Sequence, residues 1–143
     1  NAFAAIPLLV SFIPMLMDTG GNCGSQSSTL IIRGIALGEI RFSDLFRVMF
    51  KEFRVSLIVG VVLALANGLR ILIMYRNAGL ALVIGLSLVA TVIISKLIGC
   101  LLPLFAKKLH MDPAIMASPL ITTLVDTCSI LIYFNIATRI FQL

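Results

Sequence analysis

Apolar residues fall into four long runs along this chain, separated by short charged or glycine-rich connections. A membrane-spanning helix needs about 20 mostly apolar residues, and each run is long enough. The first extends from near Ala2 to about Ile32 and is interrupted: Pro7 and Pro14 remove two backbone donors, and TGGNCGSQSS, from Thr19 to Ser28, is its most polar stretch. The second covers about Val55 to Tyr75 and the third about Leu80 to Phe105. The fourth follows Asp112-Pro113 and ends near Arg139. Arg76 and Asn77 make a short turn between the second and third spans, so these two pack antiparallel. Between the first and second runs lies GIALGEIRFSDLFRVMFKEFR, with Phe46, Met49, Phe50 and Phe53 on one side and Arg47, Lys51 and Arg54 towards the other. With Ser43 as its N-cap, this stretch predicts an interfacial helix lying along the membrane surface. The expected fold is all-α and integral to the membrane, with about four transmembrane helices and one interfacial amphipathic helix.

Polar residues inside these spans carry the candidate chemistry. Asp126 sits near the middle of ASPLITTLVDTCSILIYF, with no basic residue close to it in sequence. A lone carboxylate at that depth costs about 2.5–3.5 kcal/mol on insertion scales. Thr122, Asp126, Ser129 and Tyr133 follow at spacings of four, three and four, so on a helix they share one face. That stripe suits a water-lined path or a cation; its bland counterpart is a protonated Asp hydrogen-bonded between packed helices. A second stripe, Ser11, Asp18, Asn22, Ser25 and Thr29, runs along the broken first span. Irregular backbone at membrane depth is tolerated where protein buries it or where it lines a watery cavity. Gly20, Gly21 and Gly24 alone signify no more than close helix approach; beside Asp18, Asn22 and Gln26 they favour a pore lining. Ser87, Thr91, Ser95 and Gly99 recur every four residues, a seam for close packing. Lys96, deep in the third span, has three open roles: snorkelling to the interface, pairing with an acid of another helix, or repelling cations. Asp112 before Pro113 is an N-cap pattern, and Pro119 one turn on frees a carbonyl that could face a pore.

Composition agrees with this pattern. Of 143 residues, 60% are hydrophobic and 12% charged, with a mean hydropathy of +1.14, which is membrane rather than soluble composition. The net charge of +5 does not indicate nucleic acid, because the basic residues sit between spans, where topology and lipid headgroups account for them. Arg33, Arg41, Arg47, Lys51, Arg54, Lys107 and Lys108 fall on one side, against Arg70, Arg76 and Arg139 on the other. The positive-inside bias therefore puts the first residue and the C-terminus outside. The chain begins without Met or a signal-peptide pattern, so its start reads as the interior of a longer protein. Cys23, Cys100 and Cys128 lack metal-ligand spacing and read as packing residues, and His110 reads as solvated surface.

Two stretches resemble a known family. PMLMDTGGNCGSQSSTLIIRGIALGEI, Pro14 to Ile40, is similar to the signature of the MgtE family of bacterial magnesium channels and transporters, and DPAIMASPLITTLVDTCSILIYF, Asp112 to Phe134, resembles its final transmembrane helix. They stand in the right order and separation, and the likeness covers essentially the whole chain. The resemblance implies that residues 1–143 are a pore domain in the bacterial cell membrane. It implies a homodimer of five-helix domains with a magnesium pore between the subunits, the first of the five helices missing here. Cytosolic N-terminal and CBS regulatory domains, known in the family, are likewise absent from these residues. Asp126 matches the pore aspartate that holds hydrated Mg²⁺, and Asp112 matches a peripheral metal ligand. The family's pore-lining helices place Asp18, Gly20, Gly21, Asn22, Gln26, Ser118, Pro119, Thr122, Thr123 and Ser129 along the path. Ser118 stands where relatives often have Asn, and Ser129 where Gly is common.

The physics of the ion fits. Mg²⁺ prefers octahedral oxygen ligands and dehydrates reluctantly, so proteins hold it through few carboxylates and several waters. Two-fold symmetry would bring two copies of Asp126 together, a pair that a divalent cation satisfies. The hydroxyls of Thr122 and Thr123 would contact the ion's waters. Mn²⁺ and other divalent cations meet the same chemistry, and no covalent catalysis is expected. Two other readings are open. One is a proton-coupled secondary transporter using Asp126 and Asp18; the other is a non-conducting assembly module whose polar stripes join helices.

Overall fold

A computed structural model describes residues 2–116 and 118–142, with side chains from Pro7 onward except at 118. Five α-helices follow in order: α1 (Ala2–Ser11), α2 (Ile13–Ala36), α3 (Leu45–Tyr75), α4 (Ala78–Lys108) and α5 (Ser118–Phe141). Short 3-10 turns at Phe42–Asp44 and Pro113–Met116 lead into α3 and α5. No strand occurs among the described residues.

Helix boundaries follow from local chemistry. The break at Phe12 precedes Pro14, which has no N–H to offer the carbonyl one turn back. The α2 helix ends where Gly38 takes φ +73°, a conformation that favours glycine. There the Gly38 N–H donates to the Ile35 carbonyl, and those of Glu39 and Ile40 to Gly34. The turn between α3 and α4 is two residues long. Arg76 sits at φ 49°, and the Asn77 side chain accepts from the Leu80 N–H at 3.0 Å, capping α4. The antiparallel pairing expected for these two spans follows from that turn.

The expected interfacial helix is not a separate element. Its residues form the opening turns of α3, which continues unbroken for 31 residues to Tyr75. The region from Leu45 to Arg54 contains neither Pro nor Gly, so nothing stops the helix where polarity changes. Ser43 is not the cap; it lies within the 3-10 turn, and Asp44 closes that turn by accepting from the Arg41 N–H at 3.0 Å.

Among the described residues, three helical stretches are long and apolar enough to cross a membrane: Phe42–Tyr75, Ala78–Lys108 and Pro113–Phe141. The first of the four expected spans is the exception. At 24 residues α2 is long enough, but its polar stretch keeps it out of that class.

Packing is organised around α4, which contacts α2, α3 and α5. One apolar cluster joins Leu9, Phe12, Leu16, Ile71, Ile84 and Tyr133. A smaller one at the other end joins Ile31, Val48, Cys100 and Leu104. Between them α2 and α4 come close enough that a Cβ on Gly99 would strike the Gly24 carbonyl group. Ser87, Thr91, Ser95 and Gly99 are all buried, as the four-residue seam predicts. In contrast, α3 leaves Ile58, Leu65 and Ile73 about two-thirds exposed, as befits a helix whose outer face meets hydrocarbon.

Candidate cation groove

The polar face of α2 runs beside α5. Between them lies an open groove of about 210 Å³, lined by Met17, Asp18, Gly21 and Asn22 from α2 and Thr122 and Asp126 from α5. Asp18 and Asn22 are exposed and Asp126 is half-buried. None of the lining residues is basic, so the groove carries two carboxylates with no countercharge on its walls. Gly21 sets the width: a Cβ there would lie 3.2 Å from Thr122 Cγ2, so a side chain would push the helices apart.

Hydroxyl chemistry on α5 beside the groove is directional. Thr122 and Thr123 both donate to the Pro119 carbonyl, at 3.1 and 2.8 Å, and Thr127 donates to the Thr123 carbonyl at 2.9 Å. A hydroxyl whose proton is committed to a carbonyl still offers oxygen lone pairs. Those suit the outward-pointing protons of a hydrated cation better than they suit an anion.

The remaining candidate residues are placed differently. Gln26 and Pro119 are exposed near the groove's helices but do not line it, and Thr123 is exposed beside it. Asp112 is exposed in the turn before α5, where one carboxylate oxygen accepts from the Ala114 N–H at 3.0 Å; the expected cap thus forms on the 3-10 turn. The side chain of Ser118 lies outside the described residues. Two candidates lie away from the groove wall. Gly20 faces the interior, where a Cβ would lie within 3.0 Å of Val125, Thr91 and Ser129 side chains. Ser129 is buried and donates to the Val125 carbonyl at 2.7 Å. Tyr133 turns inward as well and donates to the Leu9 carbonyl at 2.7 Å. The α5 stripe therefore splits, its first half facing the groove and its second half facing the core.

One polar cluster appeared in the sequence only as an open choice. Lys96 lies 3.6 Å from Glu52, and both side chains are almost fully buried. Ser27 joins them, donating to Glu52 at 2.6 Å and accepting from Lys96 at 3.2 Å. Of the three roles open to Lys96, pairing with an acid of another helix is the one the structure shows. Glu52 gave no warning, since it sits among the charges of the amphipathic stretch. A further bond from Ser28 to the Met116 carbonyl, at 3.2 Å, ties α2 to the turn before α5. All three cysteines are free thiols.

Comparison with known proteins gives a consistent result. Residues 13–136 match the family model MgtE, described as a divalent cation transporter. The chain is 40% identical to the magnesium transporter MgtE of Bacillus subtilis, over 96% of its own length and 31% of that protein. It is 37% identical to the protein of that name from Thermus thermophilus, over 99% of this chain and 31% of the relative. The corresponding protein of Enterococcus faecalis is 35% identical over 92% of this chain and 29% of its own length. The chain thus spans about a third of the length of these relatives.

Proposed function

The chain belongs to the MgtE family of divalent cation transporters, and on that premise we propose that it conducts Mg²⁺ across the membrane along the groove between α2 and α5. One observation carries the reading: Asp18 and Asp126, from different helices, line a single groove that has no basic residue on its walls. Two such grooves brought face to face in a homodimer would enclose a path with four carboxylates, each repeated by the two-fold axis. Among the described residues no three His, Cys, Asp or Glu side chains cluster tightly enough to hold a metal. Paired Asp126 carboxylates would hold the ion through its waters. Such a site attracts cations by charge yet lets them go. Asp112, exposed before α5, would make a peripheral metal contact. Mn²⁺ and related divalent ions would follow the same path. Transport makes and breaks no covalent bond, so no residue is assigned catalysis. Cytosolic regulatory domains would act on this path in the full-length protein.

The same two carboxylates support a second reading, proton-coupled transport, because neighbouring acids in one groove can exchange a proton for a cation. Magnesium flux into liposomes containing the full-length protein tests both. Asp126→Asn should abolish most divalent flux at unchanged folding and dimer content. Equal flux in the variant would overturn the pore assignment. Flux that collapses when the pH gradient is removed, at constant magnesium gradient and voltage, would favour coupling.

A further inference from the structure

The outward face of α3 carries two chemistries in register. Arg47, Lys51 and Arg54 follow at spacings of four and three, so they share one side of the helix, and all three are exposed. At spacings of four, three and four the same side continues through Ile58, Val61 and Leu65, also exposed. Lys51, Arg54, Val55 and Ile58 together line a cleft of about 250 Å³, basic at one end and apolar at the other. Lys51 also forms part of the wall of a neighbouring cavity of about 300 Å³, shared with Arg33, Glu39 and Glu52. Glu52 does not neutralise this face, because its carboxylate is turned inward to Ser27 and Lys96; Glu39 is exposed on the adjoining wall. The Arg54 guanidinium lies 5.8 Å from the Phe50 ring, a contact that steadies it at the mouth of the cleft.

We infer that this face binds an anionic phospholipid, its phosphate held between Lys51 and Arg54 and an acyl chain laid along Ile58, Val61 and Leu65. Dimensions agree with that occupant. Arg54 and Leu65 are separated by about 17 Å of helix, close to the depth of one leaflet of a hydrocarbon core about 30 Å thick. Charge agrees too. The basic side of the chain is the cytoplasmic side by the positive-inside bias, where the leaflet surface is negative. A helix packed on this face would have to supply acidic partners for three cations, because an unpaired buried charge is costly. The inference does not depend on the pore reading, since none of these residues lines the α2–α5 groove.

Native mass spectrometry of the full-length protein, offered equimolar phosphatidylglycerol and phosphatidylcholine, tests it. The wild type should retain phosphatidylglycerol preferentially. Lys51→Gln/Arg54→Gln should lower that retention roughly thirty-fold, taking twice the usual contribution of one basic side chain at an anionic surface. Lys51→Arg/Arg54→Lys should retain it, which separates lost charge from lost folding. A Trp introduced as Leu65→Trp should be quenched more by brominated phosphatidylglycerol than by brominated phosphatidylcholine, relative to the wild type. Absence of preference in the wild type, retained preference in the neutral double variant, or equal quenching by both lipids would each overturn the site. Displacement of the lipid by inorganic phosphate at matched concentration would do the same, by showing a bare anion site.

Discussion

Removing one member of the Lys96–Glu52 pair should destabilise the bundle far more than removing both. The two charged atoms are 3.6 Å apart, and the side chains keep only 4% and 8% of their surface. At an effective dielectric of about 20, unit charges at that distance attract by roughly 4–5 kcal/mol. Desolvation of each ion costs several kcal/mol in return, so the net contribution of the intact pair is small. A singly broken pair behaves otherwise. Lys96→Met leaves the Glu52 carboxylate buried with Ser27 as its remaining partner, and an uncompensated buried charge costs about 3–5 kcal/mol. Glu52→Leu strands the ammonium in the same way. The double variant Lys96→Met/Glu52→Leu removes both charges and should cost no more than about 1–2 kcal/mol, mostly from repacking around Ser27. Graded SDS unfolding in mixed micelles, followed by circular dichroism, gives all four corners of the cycle. A coupling energy above about 2 kcal/mol is expected. Additive losses would refute the reasoning and reduce the pair to two independent packing residues.

Two further outcomes follow from contacts already described. Gly99→Ala places a methyl group against the Gly24 backbone. It should therefore cost more than the roughly 1–3 kcal/mol usual for overpacking, whereas Gly68→Ala, whose Cβ would meet nothing closer than the Ala81 carbonyl at 4.0 Å, should be neutral or slightly stabilising; thermal unfolding in detergent compares them. Tyr133→Phe removes a 2.7 Å bond to the Leu9 carbonyl and should lower stability by about 1 kcal/mol, read in the same SDS titration, while leaving magnesium flux unchanged because Tyr133 lies off the groove.

Much of this architecture was legible because single residues have few options in hydrocarbon. Asp126 in an apolar run, and the prolines and glycines of the first span, point to α5 and α2 from sequence alone. Structure places both in one groove with Asp18. The two-residue link Arg76–Asn77 was equally readable, since a pair that short leaves its helices antiparallel. Other features depended on partners that one-dimensional spacing does not reveal. Gly20 and Gly21 are adjacent and chemically identical, yet a helix turns by about 100° per residue. One therefore meets the α4–α5 interior and the other opens on the groove. Ser129 and Tyr133 share a predicted face with Thr122 and Asp126, but Ser129 meets α2 beside Gly20 and Tyr133 reaches the Leu9 carbonyl of α1. The continuous α3 was missed for a different reason. A change from amphipathic to uniformly apolar composition reports a change of surroundings, and a helix needs no break to cross it.

The α2 helix unites these observations. Its composition denies it the apolarity of a lone span, and it can lie in the bundle only because α4 and α5 take up its small and polar residues. Gly20 and Gly24 sit within contact distance of those neighbours, Ser27 reaches the Lys96–Glu52 pair, and Ser28 reaches the turn before α5. Each of these contacts lies on the side of α2 away from Asp18 and Asn22. The buried side fixes the rotation of the helix, and that rotation leaves the exposed polar residues pointing into the groove. A polar helix held on one side by close packing and hydrogen bonds can therefore present its other side to water at membrane depth. The groove and the packed seam draw on the same 24 residues, which is why the glycine-rich stretch is both the least apolar part of the chain and one of its most tightly packed.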